Sequence, residues 1–207
     1  MTYNLKRPET NELYRLRLEQ DTDAESPRDW ENAGKMVCFH KRYLLPNEGD
    51  YNRDHFESWG ELEAQLIADG AKVILPMYMY DHSGLSVRTT PFQCPWDSGQ
   101  IGFIYLDQKS ITENWGWKTL IRDRRNTLED ALRSEVETFN QYLSGDVWGF
   151  IFEKSTVAIL ADTIDNDEPD EEELWEEVDS CWGFYGSDLD KNGILEHLPE
   201  WAQNQIK

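Results

Sequence analysis

The chain has 207 residues, a length typical of about one domain. Aromatic residues make up 13 % of it, including nine Trp, which excludes a disordered or fibrous protein because such chains lack the apolar side chains that build a core. With 41 Asp and Glu against 20 Lys and Arg, the formal net charge is −21, which excludes general electrostatic binding to DNA, RNA or an anionic membrane.

Hydrophobic periodicity predicts the first elements. Residues 13–20 alternate between apolar and polar with the period of a half-buried strand, and a short apolar run at 36–40 predicts a second strand. Residues 58–69 have helical spacing instead, which predicts a helix with Ser58 as its N-cap and Gly70 as its end.

The middle of the chain predicts a β-hairpin and a long helix. Two strand-like segments, 72–80 and 85–90, flank a polar turn at 81–84, and another strand is predicted at 101–106. The clearest helix covers 127–144, where apolar residues keep helical spacing after the capping residue Thr127.

The C-terminal part predicts a second hairpin from strands at 147–153 and 156–162, a strand that ends in WGFYG at 182–186, and a helix at about 194–204. Strands and helices alternate without a regular β–α–β rhythm. We therefore expect a single α+β domain over residues 1–207, with a mainly antiparallel sheet and the two helices above.

The sequence shows no targeting or membrane-spanning pattern. No run approaches the ~20 apolar residues of a membrane helix, and the charged N-terminal segment is unlike a signal peptide. Three widely separated cysteines (Cys38, Cys94 and Cys181) argue against a disulfide framework and a structural zinc site. We expect a cytoplasmic protein that has no cofactor and does not bind membranes.

The negative charge is concentrated near the C-terminal end. Residues 165–179 hold ten carboxylates and no cation, so they form either a solvated loop or a surface for a cationic partner. Leu174, Trp175 and Val178 interrupt this acidic segment and indicate that its second half is anchored as a short helix or strand. The predicted partner-binding residues are Asp165, Asp167, Glu168, Asp170, Glu171, Glu172, Glu173, Glu176 and Glu177.

The loops at 81–98 carry residue types that occur in covalent catalysis. Cys94, His82 and Asp97 (or Asp81) supply a nucleophile, a base and an orienting acid. Hairpin-turn chemistry and a buried, inert thiol explain the same residues without catalysis. The alternative function is a Cys-dependent hydrolase or transferase.

Asp188, Asp190 and Asn192 match the opening of an EF-hand calcium loop. The twelfth position of that loop, which requires a bidentate carboxylate, is Pro199. An Asn-Gly turn before the C-terminal helix explains the residues more simply. The main expectation is therefore that the chain has no metal site, with these three residues as the alternative.

Several motifs resemble those of a family of proteins from phages and mobile elements. The resemblance spans about residues 30–186, and it implies an accessory phage role, such as blocking a host defence system, without a settled activity or known site residues. The motifs are CFHKRY at 38–43, LPMYMYDHSG at 75–84, TTPFQCPWDSGQIGFIY at 89–105, EVETFNQYLSGDVWGF at 135–150 and DSCWGFYG at 179–186.

Charge and resemblance together predict a non-enzymatic, acidic, phage-type accessory protein. We expect it to inhibit a host defence complex, of the restriction or CRISPR type, by nucleic-acid mimicry. Its partner would be a nucleic-acid-binding host protein or complex, without direct binding of nucleic acid by the chain itself. A third interpretation is a module that assembles with another protein through its aromatic surface.

Overall fold

The computed structural model describes residues 1–159 and 171–206. In these ranges the strands pair in two antiparallel sheets, which confirms the predicted α+β class and its antiparallel pairing. In chain order the elements are β1 (Thr2–Lys6), β2 (Leu13–Gln20), β3 (Lys35–Cys38), α1 (Trp59–Ala68), β4 (Ala71–Asp81), β5 (Leu85–Arg88), β6 (Ser98–Asp107), α2 (Gln108–Trp115), α3 (Arg122–Ser144), β7 (Val147–Ile159), β8 (Glu171–Tyr185) and α4 (Glu200–Ile206).

The residues group into two compact units, each with its own sheet. The first unit combines residues 1–24 with the chain from Gly145 onward. The second unit is the continuous segment Glu25–Ser144, which separates the two parts of the first in sequence.

The sheet of the first unit has the order β1-β2-β7-β8. Alternate residues of β2 are buried, as its period-2 pattern predicts, and they pack with aromatic side chains of β7 and with the C-terminal segment. In this strand order β1 and β8 are the two edge strands of the sheet. The core consists of Leu5, Tyr14, Leu16, Leu18, Phe150, Phe152, Phe184, Ile194, Leu195, Leu198 and Ala202.

The sheet of the second unit has the order β3-β6-β4-β5 and is covered on both faces. One face packs against α3 through its buried residues Leu128, Leu132, Val136 and Phe139. The other face packs against α1, whose Ser58 N-cap accepts a hydrogen bond from the Glu61 backbone N–H as the sequence predicts. Because both faces are buried, the central strand β6 is apolar along most of its length.

Two elements extend further than the sequence predicts. Helix α3 begins at Arg122, and Thr127 lies inside it, where its hydroxyl donates to the Asp123 carbonyl oxygen at 3.3 Å. The predicted hairpin of 147–153 and 156–162 is wrong, because β7 is one continuous strand as far as Ile159. Residues 160–162 lie outside the described part of the chain.

The predicted helix at 194–204 is interrupted. A 3₁₀ turn, Ile194–His197, is followed by Pro199 and then by α4. Proline lacks the backbone N–H that a continuous helix needs and disfavours helical geometry at the residue before it. The sequence patterns also missed two short elements, β1 and α2.

Candidate functional site

The part of the acidic segment 165–179 that the structure describes lies on β8, an edge strand of the first unit. Strand pairing with β7 anchors this segment, which confirms that the second half of the acidic segment is held by the fold. The Trp175 ring adds a contact, because the Arg15 guanidinium carbon lies 4.3 Å from its centroid. Leu174 and Val178, in contrast, are 44 % and 54 % exposed, so burial of these two side chains does not provide the anchor.

The described carboxylates of β8 are Glu176, Glu177 and Asp179. Lys154 lies opposite Glu176 in the ladder, yet its ammonium group binds Glu12 at 2.6 Å, and this hydrogen bond raises the pKa of Lys154. Within the described ranges, Glu176, Glu177 and Asp179 have no cation within 4.0 Å. Their charges therefore face the solvent.

The arginines of β2 form ion pairs with Glu153 of β7. Arg15 donates to Glu153 at 2.6 and 3.1 Å, and Arg17 lies 3.3 Å from the same carboxylate. The hydrogen bond from Arg15 lowers the pKa of Glu153, which is buried. Within the described ranges, the ion pairs of these cations are thus with Glu12, Glu19 and Glu153, and none is with Glu176, Glu177 or Asp179.

The structure describes part of the predicted partner-binding set. Glu176 and Glu177 are exposed, and Glu177 accepts a hydrogen bond from the Ser180 hydroxyl at 2.7 Å. Glu171, Glu172 and Glu173 are placed as consecutive backbone positions at the start of β8. The remaining predicted residues, Asp165, Asp167, Glu168 and Asp170, lie outside the described residues.

The three candidate catalytic residues of the second unit lie close together, with Cys94 and His82 both in contact with the Asp97 carboxylate. The Cys94 thiol donates to Asp97 Oδ2 at 3.5 Å, and His82 Nδ1 lies 3.5 Å from the same oxygen. A thiol nucleophile requires the imidazole beside the sulfur, with the acid behind the imidazole. Asp81, the alternative acid, instead pairs with Arg42 and accepts from the Tyr43 hydroxyl at 3.2 Å.

This arrangement predicts an unreactive Cys94. Activation of a thiol requires a base or a cation beside the sulfur, whereas the neighbour of Cys94 Sγ is a carboxylate. We expect iodoacetamide to alkylate Cys94 in the folded protein no faster than free cysteine at neutral pH, as measured by peptide mass spectrometry after timed quenching. Cys38 is the internal control, because burial raises its pKa to about 12 and it should hardly react. Alkylation of Cys94 tenfold faster than free cysteine would favour the Cys-dependent enzyme instead.

The turn at 188–192 uses its polar groups within the chain. Asp188 binds the Lys191 ammonium group at 2.6 Å, and Asn192 Oδ1 accepts from the Ile194 backbone N–H at 3.1 Å. Within the described ranges no group of three His, Cys, Asp or Glu side chains is placed to hold a metal ion. These hydrogen bonds are those of an Asn-Gly turn that leads into the 3₁₀ turn.

A cleft of ≈1070 Å³ opens in the second unit, where strands β3, β4 and β6 meet two loops. The longer loop follows β3 and contributes His40, Lys41, Arg42 and Arg53, and the shorter loop, which precedes β6, contributes Trp96 and Asp97. Of these residues, only Asp97 was among the predicted catalytic residues. Three consecutive basic residues at 40–42, in a chain with twice as many acidic as basic residues, were a signal that could have identified them.

Within the described ranges, none of the helices is both long enough and apolar enough to cross a membrane. Comparison of the chain with protein-family models, with curated proteins and with solved structures finds no match.

Proposed function

We propose that the protein is an acidic, non-enzymatic accessory protein that binds the nucleic-acid-binding surface of a host defence complex, of the restriction or CRISPR type, by charge mimicry. The observation that carries the proposal is the edge strand β8, on which Glu176, Glu177 and Asp179 have no cation within 4.0 Å among the described residues. The resemblance to phage and mobile-element proteins supports the defence context.

The spacing of charges along a strand suits this role. Consecutive residues of an antiparallel strand rise by ~3.4 Å, and one strand of DNA carries one charge per ~3.4 Å of helix axis. Glu171, Glu172 and Glu173 are consecutive on β8, and Glu176 and Glu177 follow. Successive side chains of a strand leave opposite faces, so Glu176 and Glu177 present negative charge on both faces of β8.

The test removes five charges from β8 and compares the result with the same removal elsewhere. The test variant carries Gln at Glu171, Glu172, Glu173, Glu176 and Glu177. The control variant carries the corresponding amides at exposed acidic residues of the second unit, so both variants lose the same net charge. The control residues are Glu31, Glu57, Glu63, Asp123 and Glu137.

We expect the β8 variant to lose affinity for its partner by on the order of a hundredfold, since each exposed charge pair contributes about 0.5 kcal/mol. Partners would be captured from nuclease-treated host lysate at low and high salt, and duplex DNA would then be added as a competitor. A mimic is released by salt and competes with DNA for one surface. Equal affinity of the two variants, or simultaneous binding of DNA and the protein, would contradict the proposal.

A further inference from the structure

The cleft of the second unit is lined by three cations, Lys41, Arg42 and Arg53. Arg42 is paired with Asp81, but within the described ranges neither Lys41 nor Arg53 has a carboxylate oxygen within 4.0 Å. Arg53 donates to the carbonyl oxygen of Phe56, a neutral acceptor. In a chain of net charge −21, two uncompensated cations around one cleft form a local site for an anion.

Three carboxylates also line the cleft, and one of them, Asp81, is paired with a cation. Asp81 accepts hydrogen bonds from Arg42 and Tyr43, and Asp97 is shared by the thiol and the imidazole described above. The third, Asp54, is exposed to solvent. Within the described ranges neither Asp54 nor Asp97 lies within 4.0 Å of Lys41 or Arg53, so these two cations are free to pair with a ligand.

Aromatic rings line the same cleft. The Tyr43 ring stacks on His40 with centroids 4.9 Å apart, and the Arg53 guanidinium carbon lies 4.7 Å from the centroid of Trp59. Trp96 is 91 % exposed although it is the largest apolar side chain of its loop. Exposed and stacked rings of this kind are surfaces on which planar heterocycles stack.

A buried acceptor completes the set of groups. Asn47 lines the cleft, and its amide nitrogen donates to the Tyr51 carbonyl oxygen at 2.7 Å. Its Oδ1 atom is buried and has no donor among the residues that the structure describes. Buried polar atoms are nearly always hydrogen-bonded, so this oxygen is suited to accept an N–H from a ligand.

From these groups we infer that the cleft binds a nucleoside monophosphate. The phosphate group binds Lys41 and Arg53, the base stacks on the exposed aromatic rings, and an exocyclic amine or ring N–H donates to Asn47. A volume of ≈1070 Å³ is at the upper end of small-ligand sites and accommodates a molecule of this size. The site lies wholly in the second unit and is independent of the acidic strand of the first.

The experiment is isothermal titration calorimetry of the full chain with AMP, GMP, CMP and UMP, with adenosine and inorganic phosphate as the partial ligands. We expect at least one monophosphate to bind about tenfold more tightly than either partial ligand, because the two halves contribute together. Lys41→Met should weaken that binding about tenfold, the usual effect of a lost charge-assisted hydrogen bond. Lys41 is exposed, so the variant is expected to fold. The matched control is Lys118→Met, an exposed lysine outside the cleft, which should bind like the wild type.

Two results would overturn the inference. One is the absence of binding by all four monophosphates at millimolar concentration, and the other is unchanged affinity in Lys41→Met. The variant with five glutamines on β8 separates this site from the proposed function, because it should lose its protein partner and retain the nucleotide. Loss of nucleotide binding in that variant would place the ligand on the first unit and contradict the cleft.

Discussion

Replacement of Gly102 by alanine is expected to destabilise the protein by about 3 kcal/mol or more. A Cβ atom at this position would lie 1.9 Å from the Val37 carbonyl oxygen and 2.8 Å from Cys38 Cα. Both atoms belong to the backbone of β3, which pairs with β6 at this point, so no side-chain rotation relieves the contact. Glycine here allows two strands to approach closely beside the irregular register of β6 with β4.

The measurement is urea unfolding of both variants, followed by tryptophan fluorescence. Gly99→Ala is the matched control, since Gly99 lies on the same strand, is exposed and has open space where its Cβ would be. We expect that variant to stay within about 0.5 kcal/mol of the wild type, as surface substitutions usually do. Equal free energies of unfolding for the two variants would show that the β3 backbone is free to move away from β6.

A second large loss of stability is expected when Arg28, whose side chain is only 6 % exposed, is replaced by methionine. Its guanidinium group donates to Glu135 at 3.0 Å, to Glu48 at 2.5 Å and to the Gly34 carbonyl oxygen at 2.6 Å. Arg28→Met would leave two carboxylates and a carbonyl without their shared donor. Removal of one member of a buried ion pair costs about 3–5 kcal/mol, and we expect the lower end because Glu48 is partly exposed.

Two further variants identify the cause of this loss. Glu135 also accepts hydrogen bonds from the Ala33 and Gly34 backbone N–H groups. The side-chain carbonyl oxygen of a glutamine at that position can still accept them. The double variant Arg28→Met, Glu135→Gln should therefore recover part of the stability that Arg28→Met loses. Arg133→Met removes two exposed ion pairs, with Glu129 and Asp130, from the helix that carries Glu135, and should cost less than about 1 kcal/mol. If Arg28→Met cost no more than Arg133→Met, the three contacts would contribute nothing beyond surface electrostatics.

Elements with local signals were predictable from the sequence. Helix α1 follows from Ser58 and Glu61, which are three residues apart, and β2 follows from strict alternation. Strand β8 was harder to predict, because glutamate and aspartate are depleted in strands and local preference argues against one. Its pairing with the apolar β7 holds it in place, a contact between segments that no local pattern shows.

The geometry of the candidate sites likewise depends on contacts between distant segments, which local sequence patterns do not show. The residue types around Asp97 were predictable, but the order of the contacts depends on the turn at 81–84 and on the loop before β6. The cleft brings residues 38–59 together with residues 79–101, and the pairing of β6 with both β3 and β4 sets that arrangement. Charge identified the acidic segment 165–179, but not its strand conformation, because counting charged residues requires no geometry.

The division of the chain into two units also constrains the order in which they form during synthesis. All strands of the second sheet come from one continuous segment, so this unit can fold as soon as Ser144 has left the ribosome. Strand β2 must wait for β7, from which the whole second unit separates it, and closing so long a loop slows pairing. Early folding of the second unit brings Ala24 and Gly145 nearer than an unfolded segment would, and so lowers the entropy lost when β2 meets β7.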